Sequence, residues 1–239
     1  MVEAASIPTV SLTALYSLYL GGQYPASEIS PSNKAILIHS AAGGVGSLLV
    51  QLSKLIGMSP VVGVVGRSGK VDAVKALGCD VVIDKSTEDL WKTAEKASPE
   101  GYAVIADANG VSTLKHSFDH LTAAGRVIVY GFHSNLPLGQ DMLSPMEWIR
   151  MIAKVFQTPK FDPMELTASN KSICGFNLSF FVREIGMLGK MYEQISSWIS
   201  EKKLEFPRIV EMDMSEVARA HELIQSGKSI GKIVMTTGV

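Results

Sequence analysis

Residues 35–46 read Ala35-Ile36-Leu37-Ile38-His39-Ser40-Ala41-Ala42-Gly43-Gly44-Val45-Gly46. An apolar, β-branched run meets a glycine-rich turn, and a helical pattern begins at Val45 and continues to Ile56. In a strand–turn–helix unit of this kind the glycines allow a tight turn, let the backbone approach a pyrophosphate and let the helix pack close to the strand. The helix N-terminus then faces the anion. Gly43 and Gly46 fill the second and third glycine places, and Ala41 replaces the first. A bare glycine pattern is weak evidence and a plain strand-to-helix turn would also contain one; the flanking elements give this one its weight.

Working outward, the same alternation recurs. Val61 to Val65, Asp80 to Ile83, Tyr102 to Ala106 and Arg126 to Tyr130 are short apolar runs, separated by helical patterns at Ser68 to Leu77 and Thr113 to Leu121. Continuous rather than alternating hydrophobicity is what strands covered on both faces require. The prediction is an α/β fold, a doubly wound parallel sheet of Rossmann type, with Gly57, Gly78 and Gly125 capping the helices. A buried helix with Leu12, Leu15, Tyr16, Leu18 and Tyr19 precedes the first strand. A looser insertion runs from Ser134 to Lys171, with an amphipathic helix expected over 146–156. A sixth strand at Ile173 to Phe176, a long helix using Leu188, Met191, Ile195 and Trp198, and a strand, helix, strand set from Pro207 to Met235 complete the chain. The division expected is a cofactor-binding domain over 1–178 and a C-terminal extension over 179–239.

Composition narrows the function classes. The 239 residues carry 22 Lys and Arg against 23 Asp and Glu, a net charge of -1, and are 46% hydrophobic. Disorder and a nucleic-acid partner are both disfavoured by that balance. Cys79 and Cys174, the only cysteines, lie far apart without zinc-like spacing, so neither a disulfide framework nor a structural metal is expected. Pro8, Thr9, Ser11, Thr13 and Ser17 interrupt the apolar run near the start, so no signal peptide or spanning helix is expected, and the chain reads as cytoplasmic.

The end of the second strand selects the nucleotide. An acidic residue there would bind a ribose 2′-hydroxyl; this chain has Gly66-Arg67-Ser68-Gly69-Lys70 instead. Two cations and a hydroxyl suit a 2′-phosphate, so NADP is expected. The plain alternative is that Arg67 and Lys70 are solvated charges at a helix start, although cations there oppose the helix dipole.

Other constellations carry less. His116 and His120, four apart on a helix, lack a third ligand. His133 follows the fifth strand at the ligand-binding edge. Ser40 and Ser47 have no paired His and Asp for a triad, and Glu211 with Asp213 reads as solvated. Arg150, Lys154 and Lys160 beside Trp148, Ile149, Ile152 and Phe156 fit a dimer contact or a cleft mouth better than a membrane surface.

With these residues in place, the chain resembles the quinone oxidoreductase branch of the medium-chain dehydrogenase/reductases. The resemblance rests on Glu3 to Leu18, His39 to Gly46, Gly125 to Gly131, Cys174 to Leu178 and Gly231 to Val234. It implies that Thr13 lies near a nicotinamide, that Gly43, Gly44 and Val45 lie under the pyrophosphate, and that Gly66, Arg67, Ser68 and Lys70 recognise the phosphate. Lys85 stands where relatives often have a Tyr. Asn109 and Gly110 would line the groove, Gly131, Phe132 and His133 with Phe176, Asn177 and Leu178 would hold the nicotinamide end, and Lys232 matches a lysine near the site.

The activity implied is zinc-independent hydride transfer from NADPH to a quinone or α,β-unsaturated carbonyl, in a homodimer whose strands near Val127 to Tyr130 and Ile173 to Phe176 pair at the sheet edge. Relatives carry a barrel-like substrate domain before this region, which this chain is expected to lack. No general acid is therefore assigned, and weak turnover by the 239 residues alone is expected. Two alternatives stand beside this: an enoyl-reductase module of a polyketide or fatty acid synthase, against which Phe132 and His133 replace an expected lysine, and a non-catalytic NADPH-binding protein acting through partners.

Overall fold

A computed structural model describes residues 1–25, 32–132 and 156–237. Strands β1 (Ile36–Ile38), β2 (Val61–Val65), β3 (Val81–Asp84), β4 (Tyr102–Asp107), β5 (Leu121–Val129) and β6 (Ser172–Gly175) form one sheet in the order β3-β2-β1-β4-β5-β6. Every pairing is parallel. This is the Rossmann-type doubly wound order. Every residue of β1, β2 and β4 is buried, which is why their sequences show no polar alternation.

The two faces separate by register. Ile36 and Ile38 pack with Leu15, Leu18, Leu48, Leu49, Leu52, Met191 and Ile195. Leu37, between them, joins Val62, Val64, Ile105, Leu114 and Phe118 on the other face. The first layer is built from α2 (Pro8–Leu20), which follows the short α1 (Val2–Ser6), and α3 (Gly44–Leu55), with the later helix at Ile185–Ser200. The second is built from α5 (Leu90–Ala97) and α6 (Leu114–Asp119). Between these layers' segments, α4 (Val71–Lys75) follows a 3-10 turn at Ser68–Lys70, so the helix expected from Ser68 begins three residues later. The short α5 was not expected. It buries only Ala94 fully and starts because the Asp89 carboxylate accepts from the Trp91 and Lys92 N–H groups.

Two sequence expectations need correction. Gly57 and Gly78 end their helices with φ of 82° and 98°, but Gly125 caps nothing. It lies inside β5, where an added methyl would stand 2.7 Å from the Tyr102 carbonyl oxygen, so its role is close strand approach. β5 also begins at Leu121, earlier than expected, and pairs with both β4 and β6. It is therefore interior, and among the described strands β6 forms that edge.

Before β6 lies α7 (Pro163–Ser169); after it the chain continues through α8 (Ile185–Ser200) into a parallel pair, β7 (Ile209–Asp213) and β8 (Lys232–Thr236), joined by α9 (Val217–Gln225). Met191 and Ile195 of α8 are buried in the first core. Glu211 and Asp213 lie on β7, exposed. The helix expected over 146–156, with Trp148, Ile149, Arg150, Ile152 and Lys154, falls outside the described residues except at the exposed Phe156.

Candidate functional site

Because all six strands of the main sheet run parallel, the segments leaving their carboxyl ends share one edge. Gly43, Gly66 to Lys70, Lys85, Asn109 with Gly110, Gly131 with Phe132, and Phe176 to Leu178 follow β1 through β6 in turn. The strand order reverses between β1 and β4, the point at which open α/β sheets hold ligands. There Ser40 adopts φ 55° and its hydroxyl donates to Asn109 Oδ1 at 3.3 Å, joining the two sides.

The loop after β1 is shaped by contact. Gly43, extended at φ -78° and ψ 174°, is the N-cap of α3, and its carbonyl accepts from Ser47 N–H. The N–H groups of residues 44–46 precede that bond and point past the helix end, as in any helix first turn. A methyl at Gly46 would collide with the Ser40 carbonyl oxygen and stand 2.7 Å from Ala41 Cα. Glycine here lets helix and strand touch. At Gly44 an added methyl would stand 3.1 Å from Val10 and 3.6 Å from Lys232 Cδ, which places Lys232 beside the loop.

At the end of β2, Arg67 Nη2 donates to the Ser226 carbonyl at 3.1 Å and Lys70 Nζ to the Ser229 carbonyl at 2.7 Å. Burial, with the Arg67 charge added, lowers the Lys70 pKa. The Ser68 hydroxyl donates to Asp84 Oδ2 at 2.5 Å. Asp84, at the end of β3, also accepts from the Ser86 N–H and hydroxyl, and these hydrogen bonds hold its carboxyl below the usual range. An acid thus stands at this edge on β3 rather than β2, with both oxygens occupied. Lys85, next along, approaches Gly66, whose added methyl would meet Lys85 Cε at 3.6 Å.

A group that sequence reasoning missed lies beneath the β4 end. Asp107 is fully buried, and its Oδ1 accepts from Asn109 N–H at 2.8 Å and Gly110 N–H at 3.1 Å. Its Oδ2 accepts from Thr113 Oγ1 at 2.7 Å and Ser117 Oγ at 3.0 Å. His39 Nε2 lies 3.2 Å from Ser117 Oγ, while its Nδ1 is buried without a partner. Burial outweighs the pull of Asp107 and lowers the His39 pKa to about 4, so the ring is neutral. The carboxylate therefore folds the turn carrying Asn109 and Gly110. Gly110, at φ 86°, is pressed against Phe132, 2.6 Å from where its methyl would be. The available signal was an acid ending an apolar strand and followed by Asn-Gly.

At the β5 and β6 ends, Phe132 is half exposed beside Gly131, and His133 lies outside the described residues. Phe176 stacks edge-on against Tyr16 with centroids 4.8 Å apart and lies 6.5 Å from Tyr130. Asn177 is exposed and its side chain accepts from Ser179 N–H, starting the turn at Leu178. Thr13, buried in α2, donates its hydroxyl to the Thr9 carbonyl at 2.7 Å. That donor is committed to its own helix; the oxygen lone pairs are what it can offer a ligand.

His116 and His120 flank Trp91, with centroids 5.4 and 4.5 Å from it, and His120 Nδ1 pairs with the His116 carbonyl. They are stacking partners. Among the described residues no group of three or more His, Cys, Asp or Glu stands together to hold a metal, and no helix is long and apolar enough to cross a membrane. Cys79 packs against Gly63, and burial pushes its thiol up to about 12.

The family model for "Zinc-binding dehydrogenase" matches residues 44–191. The synaptic vesicle membrane protein VAT-1 homolog of Danio rerio is 29% identical over 237 residues, which is 98% of this chain and 46% of that protein. A "Probable quinone oxidoreductase" of Leishmania amazonensis is 26% identical, over 98% of this chain and 64% of its own length. The structure of Escherichia coli quinone oxidoreductase complexed with NADPH superposes with a TM-score of 0.75 at 22% identity, covering 98% of this chain and 64% of that one. The chain spans about half the length of the first of these relatives. It belongs to the zinc-binding dehydrogenase family, within the medium-chain dehydrogenase/reductases, and it resembles that superfamily's quinone oxidoreductase-like branch.

Proposed function

We propose that the chain is the NADPH-binding part of an oxidoreductase that delivers hydride to a quinone or α,β-unsaturated carbonyl. The observation that carries this reading is the pair of cations, Arg67 and Lys70, at the end of β2, on the same sheet edge as the N-terminus of α3. In this reading Gly43, Gly44 and Val45 seat the pyrophosphate, Gly66, Arg67, Lys70 and Lys85 surround the 2′-phosphate, and Ser68 acts by fixing Asp84. Asn109 and Gly110 line the groove. Gly131, Phe132, Phe176, Asn177 and Leu178 shield the nicotinamide end from water, with Thr13 and Lys232 alongside. The bound nicotinamide would supply the hydride; the protein's part is binding, orientation and exclusion of water.

Relatives named as a quinone oxidoreductase and as a prostaglandin reductase support the oxidoreductase class, and structures of related folds holding NADPH support the cofactor. The family description names zinc, but the described residues offer no donor set for it. Residues 1–178 form the cofactor domain in this proposal, and 179–239 its extension. The cytoplasm is the proposed compartment.

Calorimetric titration tests the cofactor. NADPH should bind about 5- to 150-fold more tightly than NADH, the scale of charge-assisted hydrogen bonds. Equal affinities, or an unchanged preference in Arg67→Ala with Lys70→Ala, would overturn the reading. For assembly, we propose a homodimer through β6, whose outer edge is unpaired by any described strand. Light scattering should show a dimer of the parent chain, and a strictly monomeric parent refutes it.

A further inference from the structure

The two cations at the end of β2 do not stand alone. Both donate to one distant segment, the loop between α9 and β8, through the Ser226 and Ser229 carbonyls. That loop is locally well defined. Ser226 N–H donates to Glu222 O at 2.8 Å, Gly227 N–H to Ile224 O at 3.0 Å, and Lys228 N–H to Ser226 Oγ at 3.2 Å. Its far end is anchored on the pyrophosphate loop, where Gly231 N–H donates to the Ala42 carbonyl at 2.8 Å and Gly231 bridges Gly43. Gly231 must be glycine there, at φ 76° with an added methyl in collision with the Arg208 carbonyl. One six-residue segment therefore touches both places where the cofactor carries phosphate in the proposed reading.

The chemistry of the contacts favours positioning over blocking. A lysine ammonium has three donors and an arginine guanidinium five N–H groups, so one bond from each to a carbonyl leaves the rest for a phosphate. The carbonyl dipoles hold two like charges side by side, which repel when unsupported. Arginine's fork is useful only when its plane is fixed, and the Ser226 carbonyl fixes it. We propose that the segment Ser226–Gly231 is a specificity-determining clamp that holds Arg67 and Lys70 ready for the 2′-phosphate of NADPH while its Gly231 end braces the pyrophosphate loop. This rests on the reading of the site as an NADPH site and adds to it a selectivity element 159 residues away in sequence.

Gly227 gives a clean handle. Its φ is 64° and nothing lies within 4 Å of an added methyl, so Gly227→Ala strains the loop backbone without a clash. The 239-residue chain and this variant are titrated with NADPH and NADH, with melting curves alongside. The ratio of NADH to NADPH dissociation constants should fall about 5- to 10-fold in the variant, with the loss carried by NADPH. An unchanged ratio, or equal weakening of both cofactors, overturns the clamp. A parent chain that binds both cofactors equally instead overturns the NADPH reading itself, and the clamp with it. Should the variant fail to fold, hydrogen exchange of the parent decides: adenosine 2′-monophosphate should slow exchange across residues 226–232 where adenosine 5′-monophosphate does not, and equal protection by both refutes the proposal.

Discussion

Replacing Asp107 with Ala isolates the carboxylate that folds the β4 turn. Four donors point at it: the Asn109 and Gly110 N–H groups and the Thr113 and Ser117 hydroxyls. The hydroxyls have other partners within reach, since Thr113 Oγ1 lies 3.3 Å from the Gly110 carbonyl and Ser117 Oγ 3.2 Å from His39 Nε2. The two backbone N–H groups lose the carboxylate oxygen that they share. Each buried donor left unmet costs about 1–3 kcal/mol, so the loss is about 4 kcal/mol once the small new cavity is added. For a chain of 239 residues that corresponds to a fall in Tm of about 8–16 °C. Asp107→Asn keeps an acceptor for the backbone pair and should lose about half as much. Circular-dichroism melts at neutral pH read both variants. If Asp107→Ala melts within 3 °C of the parent, the turn is held by something else and the reasoning fails.

Two further outcomes follow from the same edge of the sheet. Gly46→Ala drives a methyl into the Ser40 carbonyl and to 2.7 Å from Ala41 Cα, both backbone atoms, so it should cost about 2–3 kcal/mol in urea unfolding and weaken NADPH binding; a silent substitution would show that α3 can slide off β1. His39, its pKa lowered to about 4 against about 6.5 unfolded, takes up a proton in the unfolded chain first. Its contribution is therefore complete above pH 6.5 and is lost as pH falls from 6.5 toward 4; His39→Gln should flatten that slope, and parallel profiles would refute the assignment.

The sheet was legible because parallel strands buried on both faces cannot hide in their sequence. β1, β2 and β4 are buried throughout and apolar but for Asp107 at the end of β4, and their order along the chain needs only right-handed crossovers to become a doubly wound sheet. The glycine-rich turn after β1 was legible for a related reason: Gly46 is compelled by backbone contact with Ser40 and Ala41, a constraint that leaves a glycine at a fixed distance from the strand. α5 was not legible, since a surface helix of eight residues with one fully buried position has little periodicity to read. Gly125 misled because glycine serves both helix ends and close strand pairing, and the sequence spacing is the same for either.

What stayed hidden at the site is instructive about which interactions write themselves into local sequence. Arg67 and Lys70 announce a cationic end to β2, yet the carbonyls of Ser226 and Ser229 that orient them leave no trace, because any residue offers a backbone carbonyl. Asp107 is the opposite case. Its type is visible, but its meaning depends on His39, just after β1, and Ser117 from α6 meeting beneath β4, which the register of β1 against β4 brings about. In the proposed reading, selectivity at this edge is set by tertiary contacts around residues whose identity is readable. A chain keeping Arg67 and Lys70 but altered between 226 and 231 should keep the charge and lose part of the discrimination, and that separation is the physical content of the clamp.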